Sequence, residues 1–185
     1  MKEYGASNLF SKLTEDILHK LRRYFPSYGQ EIFVMAIQRL LQTAALKDMS
    51  YLYENSMLTE TLPDLNLSKN RLTEIMQSLG EDREGITQFM KQCVEGSEHI
   101  VFDTTHLIAA SNNMNLNKTG YNSQGSYDPQ VNLLYIFSTD KQLPVYYRIF
   151  PGNITGMKAL ELTIRESELT NCTVVGDKGF CSEKN

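Results

Sequence analysis

Asp103 and Asp177 each close a short apolar run. Ile100-Val101-Phe102 leads into the first, and Thr173-Val174-Val175-Gly176 leads into the second. In a mixed sheet, ligand and metal chemistry gathers at the ends of inner strands, where side chains leave the packed interior and meet solvent. Two aspartates placed there can hold Mg²⁺, a hard ion that takes a few carboxylate oxygens plus water and substrate phosphate. A pair of such ions about 4 Å apart can activate a nucleophile and stabilise the leaving oxygen of an in-line phosphodiester displacement. Glycoside hydrolysis also uses two acids, about 5–10 Å apart. That chemistry wants sugar-stacking aromatics beside the acids, and the chain has no Trp. Either aspartate alone is also an ordinary strand-ending residue.

The elements that must position these acids follow from periodicity. At 185 residues and 41% hydrophobic, the chain can bury a core and suggests one to two domains. Leu9, Leu13, Ile17, Leu21 and Phe25 recur at helical spacing until Pro26 stops them. Residues 31–47, EIFVMAIQRLLQTAALK, are apolar on most sides and suit one buried helix. Ser68 is a candidate N-cap for KNRLTEIMQSL, with Gly80 expected just past the helix end, and REGITQFMKQCV is a further helix. At His99 the texture becomes β-branched and aromatic. HIVFDTT, QVNLLYIFST and LPVYYRIF read as strands, MKALELTIRESEL as a helix and CTVVGD as a last strand, with GYNSQGSYDP as a turn-rich connection. The expected organisation is an all-helical region over residues 1–96 and a mixed sheet over 97–185 in the order β-β-β-α-β, an α+β or α/β arrangement.

Composition bounds the partners. The net charge of −4 and pI near 5.4 do not advertise nucleic acid, and the basic cluster HKLRR, His19 to Arg23, reads as a solvated helix face. Three cysteines without CxxC spacing favour neither a disulfide framework nor a zinc site. The first ten residues lack a secretory apolar core, and no apolar run approaches the ~20 residues that span a bilayer. A cytoplasmic protein without membrane association is expected.

FDTT, then GYNSQGSYDPQVNLLYIFSTDKQLPVYYRIFPGN, then a helix, then VVGDKGFCSEKN together resemble the front half of the catalytic domain of bacterial insertion-sequence transposases of the DDE type. Those enzymes resemble ribonuclease H and retroviral integrase in fold. The resemblance covers about residues 99–185. A weaker one extends upstream through LSKNRLTEIMQSLGEDREGITQFMKQ.

The resemblance implies a truncated ribonuclease-H-like sheet, with Asp103 and Asp177 as the first two catalytic, metal-binding acids and two Mg²⁺ or Mn²⁺ ions in the complete enzyme. The family's third acid, usually a Glu, stands much further along. Glu183 is too close to Asp177 to be that residue, so the chain is expected to be an amino-terminal fragment, inactive alone. The implied partners are DNA (element ends and target) and a homodimer or synaptic complex, in a bacterial cytoplasm and at the nucleoid when bound. The implied reaction is metal-dependent phosphodiester hydrolysis and strand transfer. The alternative is a non-catalytic DNA-binding or dimerising fragment that regulates a full-length transposase.

Supporting residues fall around the acids. Gly179 allows a tight turn or close approach after Asp177, and Lys178 stands where the family carries a basic residue, facing a phosphate or solvent. Thr105 shares the face of Asp103 by strand parity and is placed to orient that carboxylate. His106 is expected on the other face, as a structural residue. Pro151-Gly152-Asn153 matches the family's turn before the helix, with Asn153 expected to tolerate left-handed geometry. Strand one is expected to end near Asp103 and the last strand near Asp177.

Overall fold

The apolar recurrence from Leu9 to Phe25 folds as two helices, α1 (Gly5–Leu13) and α2 (Glu15–Tyr24). The break is Thr14, whose backbone leaves helical geometry while its hydroxyl donates to Phe10 O at 2.7 Å. A side chain that bonds the preceding turn competes with helix continuation. The chain is a computed structural model described over residues 4–43, 45–111 and 113–176. Its backbone contacts divide it into two units, Met1–Phe89 and Met90–Asn185.

In the first unit, α3 (Gly29–Leu41) buries Phe33, Val34, Met35 and Ile37. It is shorter than the expected single helix through Lys47, because Gln42 turns extended and a 3₁₀ turn at Leu46–Asp48 follows. Two short helices, α4 (Met49–Glu54) and α5 (Leu58–Thr61), come next. The Tyr53 hydroxyl donates to Leu62 O at 2.5 Å, tying α4 to the end of α5. In α6 (Lys69–Glu81), Ser68 is the N-cap, its Oγ accepting from Arg71 N at 3.4 Å. Gly80 lies inside this helix rather than past its end. The helix α7 (Arg83–Val94) matches the expected segment, and the division between the two units falls within it. No helix among the described residues is long and apolar enough to cross a membrane.

The second unit is built on β1 (His99–Ile108), β2 (Lys118–Tyr121), β3 (Tyr127–Ser138), β4 (Leu143–Pro151), α8 (Gly156–Ser167) and β5 (Thr173–Val175). β1 and β4 flank β3 antiparallel over the same stretch, and β5 runs parallel to β1 on its outer edge. β2 pairs with Tyr127–Gln130 and so continues the β4 edge end to end. This is a mixed-sheet α+β fold consistent with a ribonuclease-H-like domain. The short β2 is an addition within the turn-rich stretch. Its four residues carry too little alternation to be read as a strand.

One face of the sheet is covered. Ile100, Phe102, Leu134, Ile136, Tyr146 and Phe150 are buried there, and α8 lays Ala159, Leu160 and Thr163 against the sheet. Glu166 on α8 accepts from the Tyr146 hydroxyl at 2.6 Å and pairs with Arg148 at 3.1 Å. The opposite face, by strand parity, carries Val101, Asp103, Thr105 and Leu107 from β1 beside Phe137, Tyr135, Leu133 and Val131 from β3. Of these, Leu107, Tyr135 and Phe137 are exposed.

The start of β1 is pinned by a polar knot. Asp140 Oδ2 accepts from Glu98 N at 2.8 Å and His99 N at 2.7 Å, and Oδ1 lies 3.0 Å from His99 Nδ1. The His99 backbone and ring contacts hold the Asp140 carboxyl below its ordinary range. Lys141 donates to Cys93 O at 2.7 Å and to Glu95 O, which ties the β3–β4 turn to the end of α7.

Candidate functional site

β1 does not end at Asp103. It continues to Ile108 because each residue from Asp103 on finds a partner in β3, from Asp103↔Tyr135 to Ile108↔Gln130. Asp103 therefore stands mid-strand on the open face and is exposed. Its Oδ1 accepts from the backbone N–H of Thr104 at 2.8 Å, which orients the carboxylate. Thr105 is exposed on the same face, opposite Leu133, and His106 lies on the other face opposite Asn132. Parity places both as the sequence implies.

β5 brings the second run alongside. His99↔Thr173, Ile100↔Val174 and Val101↔Val175 are in register as parallel neighbours. Gly176 follows, against the Phe102 ring: a Cβ there would stand 2.6 Å from two ring atoms. Asp177, Lys178 and Gly179 lie outside the described residues, as does Glu183. Among the described residues, no group of three or more His, Cys, Asp or Glu side chains could hold a metal ion.

Asn153 is exposed in the turn after β4, where Ile154 N donates to Pro151 O at 3.0 Å. Neither Gly152 nor Asn153 has positive φ, so the turn does not use the left-handed geometry expected of Asn153. Gly152 is needed for a different reason. A Cβ there would collide with the carbonyl oxygens of Gln130 and Lys118, so the turn and the β2–β3 pair meet backbone to backbone. The Asn132 amide then donates to Gly152 O at 3.2 Å and Ile154 O at 2.9 Å.

Between this turn, β2 and the far half of β1 lies an open groove of about 760 Å³, lined by Thr104, His106, Tyr121, Asn132, Asn153 and Thr155 among others. Sequence reasoning did not find it. Its walls join residues separated by up to 55 positions, and the one local signal is an NSQG turn between two tyrosines.

The match to known proteins decides the family. Residues 95–185 match the model of the transposase DDE domain. This stretch belongs to the DDE transposase family. Among curated proteins and solved structures, nothing matches the chain. A DDE transposase domain assigns the chain a role in transposition in general. DNA is the substrate of that family, and divalent metal ions are its general cofactor. Asp103 fits such an ion by chemistry: it offers a hard carboxylate oxygen, exposed and held in orientation by its own strand.

Proposed function

We propose that the chain serves DNA transposition through metal-dependent phosphodiester chemistry at element ends, with Asp103 and Asp177 as the paired carboxylates. The observation that carries this reading is the register of β1 with β5. Val101 and Val175 are paired, and each acid stands two residues further along its own chain. Mg²⁺ or Mn²⁺, two ions in the complete enzyme, would be held by these carboxylates and would supply charge stabilisation at the attacking and leaving oxygens.

The protein's own contribution is orientation. Thr104 N–H fixes one Asp103 oxygen, the β1–β3 ladder fixes the strand, and Thr105 on the same face is placed to hold a water beside the carboxylate. Lys178 follows Asp177 directly and would meet a DNA phosphate. The helical region and Asn153 are read as structural support. A homodimer or synaptic complex in a bacterial cytoplasm belongs to the same proposal.

The test is a titration of the full chain with Mn²⁺, alone and with short duplex DNA. Phosphate oxygens complete the coordination of hard ions, so DNA should raise the apparent metal affinity. Asp103→Asn and Asp177→Asn should each lower it about tenfold or more. Metal affinity unchanged in both variants would remove the reading. DNA binding indifferent to metal and to both substitutions would favour the non-catalytic regulatory alternative.

A further inference from the structure

The β2–β3 hairpin holds two tyrosines side by side in solvent. Tyr121 and Tyr127 are register partners, 66% and 72% exposed, with ring centroids 5.3 Å apart. Cross-strand aromatic pairs stabilise a hairpin. That role alone does not account for how rigidly the tip behind them is built. Asn122 is buried. Its Oδ1 accepts from Gln124 N at 3.0 Å and from Ser126 N and Oγ at 3.2 Å, and its amide donates to Asp128 at 2.8 Å.

Gly125 takes φ +79 to close the turn. Gln130, itself buried, donates to Tyr121 O at 3.2 Å. Gly120 lies so close to Gly152 O that no Cβ fits between them. The two rings are thus carried on a fixed mount, and both line the groove.

We infer that Tyr121 and Tyr127 form a stacking platform for unpaired bases of the DNA on which the domain acts. The inference rests on the DNA-transposition reading and goes beyond it, because it names a second contact away from the carboxylates. Every base offers a π-face, so aromatic side chains on a rigid sheet bind single strands with little sequence preference. From Lys118 to Tyr127 the hairpin carries no acidic residue, so no fixed negative charge within it repels the strand. The first acid beyond, Asp128, has its charge engaged by Ser126 at 2.5 Å and by Asn122.

The platform is also linked to Asp103 through β3. Tyr127 and Tyr135 share a face of β3 by parity, and Tyr135 is the register partner of Asp103. The eight residue steps from one to the other span about 26 Å of strand. That is about eight base steps at 3.4 Å each.

The experiment uses the full chain and an eight-nucleotide single strand carrying one 2-aminopurine, whose fluorescence changes when an aromatic ring stacks on it. The wild type should quench the probe, and Tyr121→Ala/Tyr127→Ala should weaken binding about tenfold or more. Tyr121→Phe/Tyr127→Phe should retain it. Melting curves check folding, and if the alanine pair unfolds early, Tyr121→Leu/Tyr127→Leu keeps apolar bulk without a π-face. No fluorescence response at saturation, or equal affinity with and without the rings, would overturn the inference. So would a dimer that the alanine pair abolishes with no effect on the probe, which would assign the tyrosines to a contact between copies. The response should survive Asp103→Asn. A platform that persists while metal affinity ignores Asp103 would sink only the metal reading, and the converse would sink only the platform.

Discussion

Val101 on β1 and Val175 on β5 are parallel register partners, and the next residue of β5's chain, Gly176, lies against the ring of Phe102. Phe102 is buried, so its ring has little room to yield. The path of the chain leaving β5 at residue 176 depends on this glycine.

Gly176→Ala should therefore disturb the site more than the global fold. Overpacking against a buried ring costs about 1–3 kcal/mol, and strand β5 has only three residues with which to resist. The expected outcome is a Mn²⁺ affinity lowered several-fold with the helical unit's melting transition unchanged. Calorimetric titration and melting on one sample separate the two effects. An unaltered affinity would show that the backbone after Val175 is not held by Phe102.

Two glycine substitutions should move stability in opposite directions. Gly152→Ala drives a Cβ into the carbonyls of Gln130 and Lys118 and should destabilise the sheet unit by about 1–3 kcal/mol or more. Gly80→Ala meets open space inside α6 and should stabilise the helical unit by about 0.5–1 kcal/mol. Denaturant unfolding of the two variants measures both. A destabilising Gly80→Ala would contradict the helical placement of residue 80.

Acid should release the start of β1. Asp140 is held below the ordinary carboxylate value of 3.8, first by the backbone and ring contacts of His99. Its folded-state value is depressed, so its contribution is fully present above 3.8 and is lost as pH falls through the folded value. Asp140→Asn should lower the melting temperature at neutral pH, and the gap from wild type should close as pH drops below that range. A gap that stays constant into strong acid would mean the carboxylate charge is not what pins Glu98 and His99.

The division between helical and sheet-bearing stretches was legible because it is written in local periodicity. Every described strand begins at or after His99, and α7 and the strands β1, β3 and β4 lie where their apolar patterns put them. What failed was the ends of elements. Thr14 breaks a run that apolar spacing alone would continue, and Gly80 sits within α6 although glycine commonly follows a helix. β1 runs past Asp103 because β3 supplies ladder partners from 22 to 32 residues away, which no local signal encodes.

For the site, the face shared by Asp103 and Thr105 and the opposite placing of His106 follow from strand parity alone. The groove and the tyrosine pair were hidden for the opposite reason. They depend on Gly120 in β2 meeting Gly152 in the turn after β4, and that contact has no periodicity.

The central claim is that Asp103 and Asp177 share a divalent ion, and paramagnetic broadening by Mn²⁺ tests it most directly. With the valine methyl groups labelled, the resonances of Val101 and Val175 should broaden together at the same low ratio of Mn²⁺ to protein. Both effects should vanish in Asp103→Asn and in Asp177→Asn. Broadening of one valine without the other, or broadening that persists in either variant, would contradict a shared site.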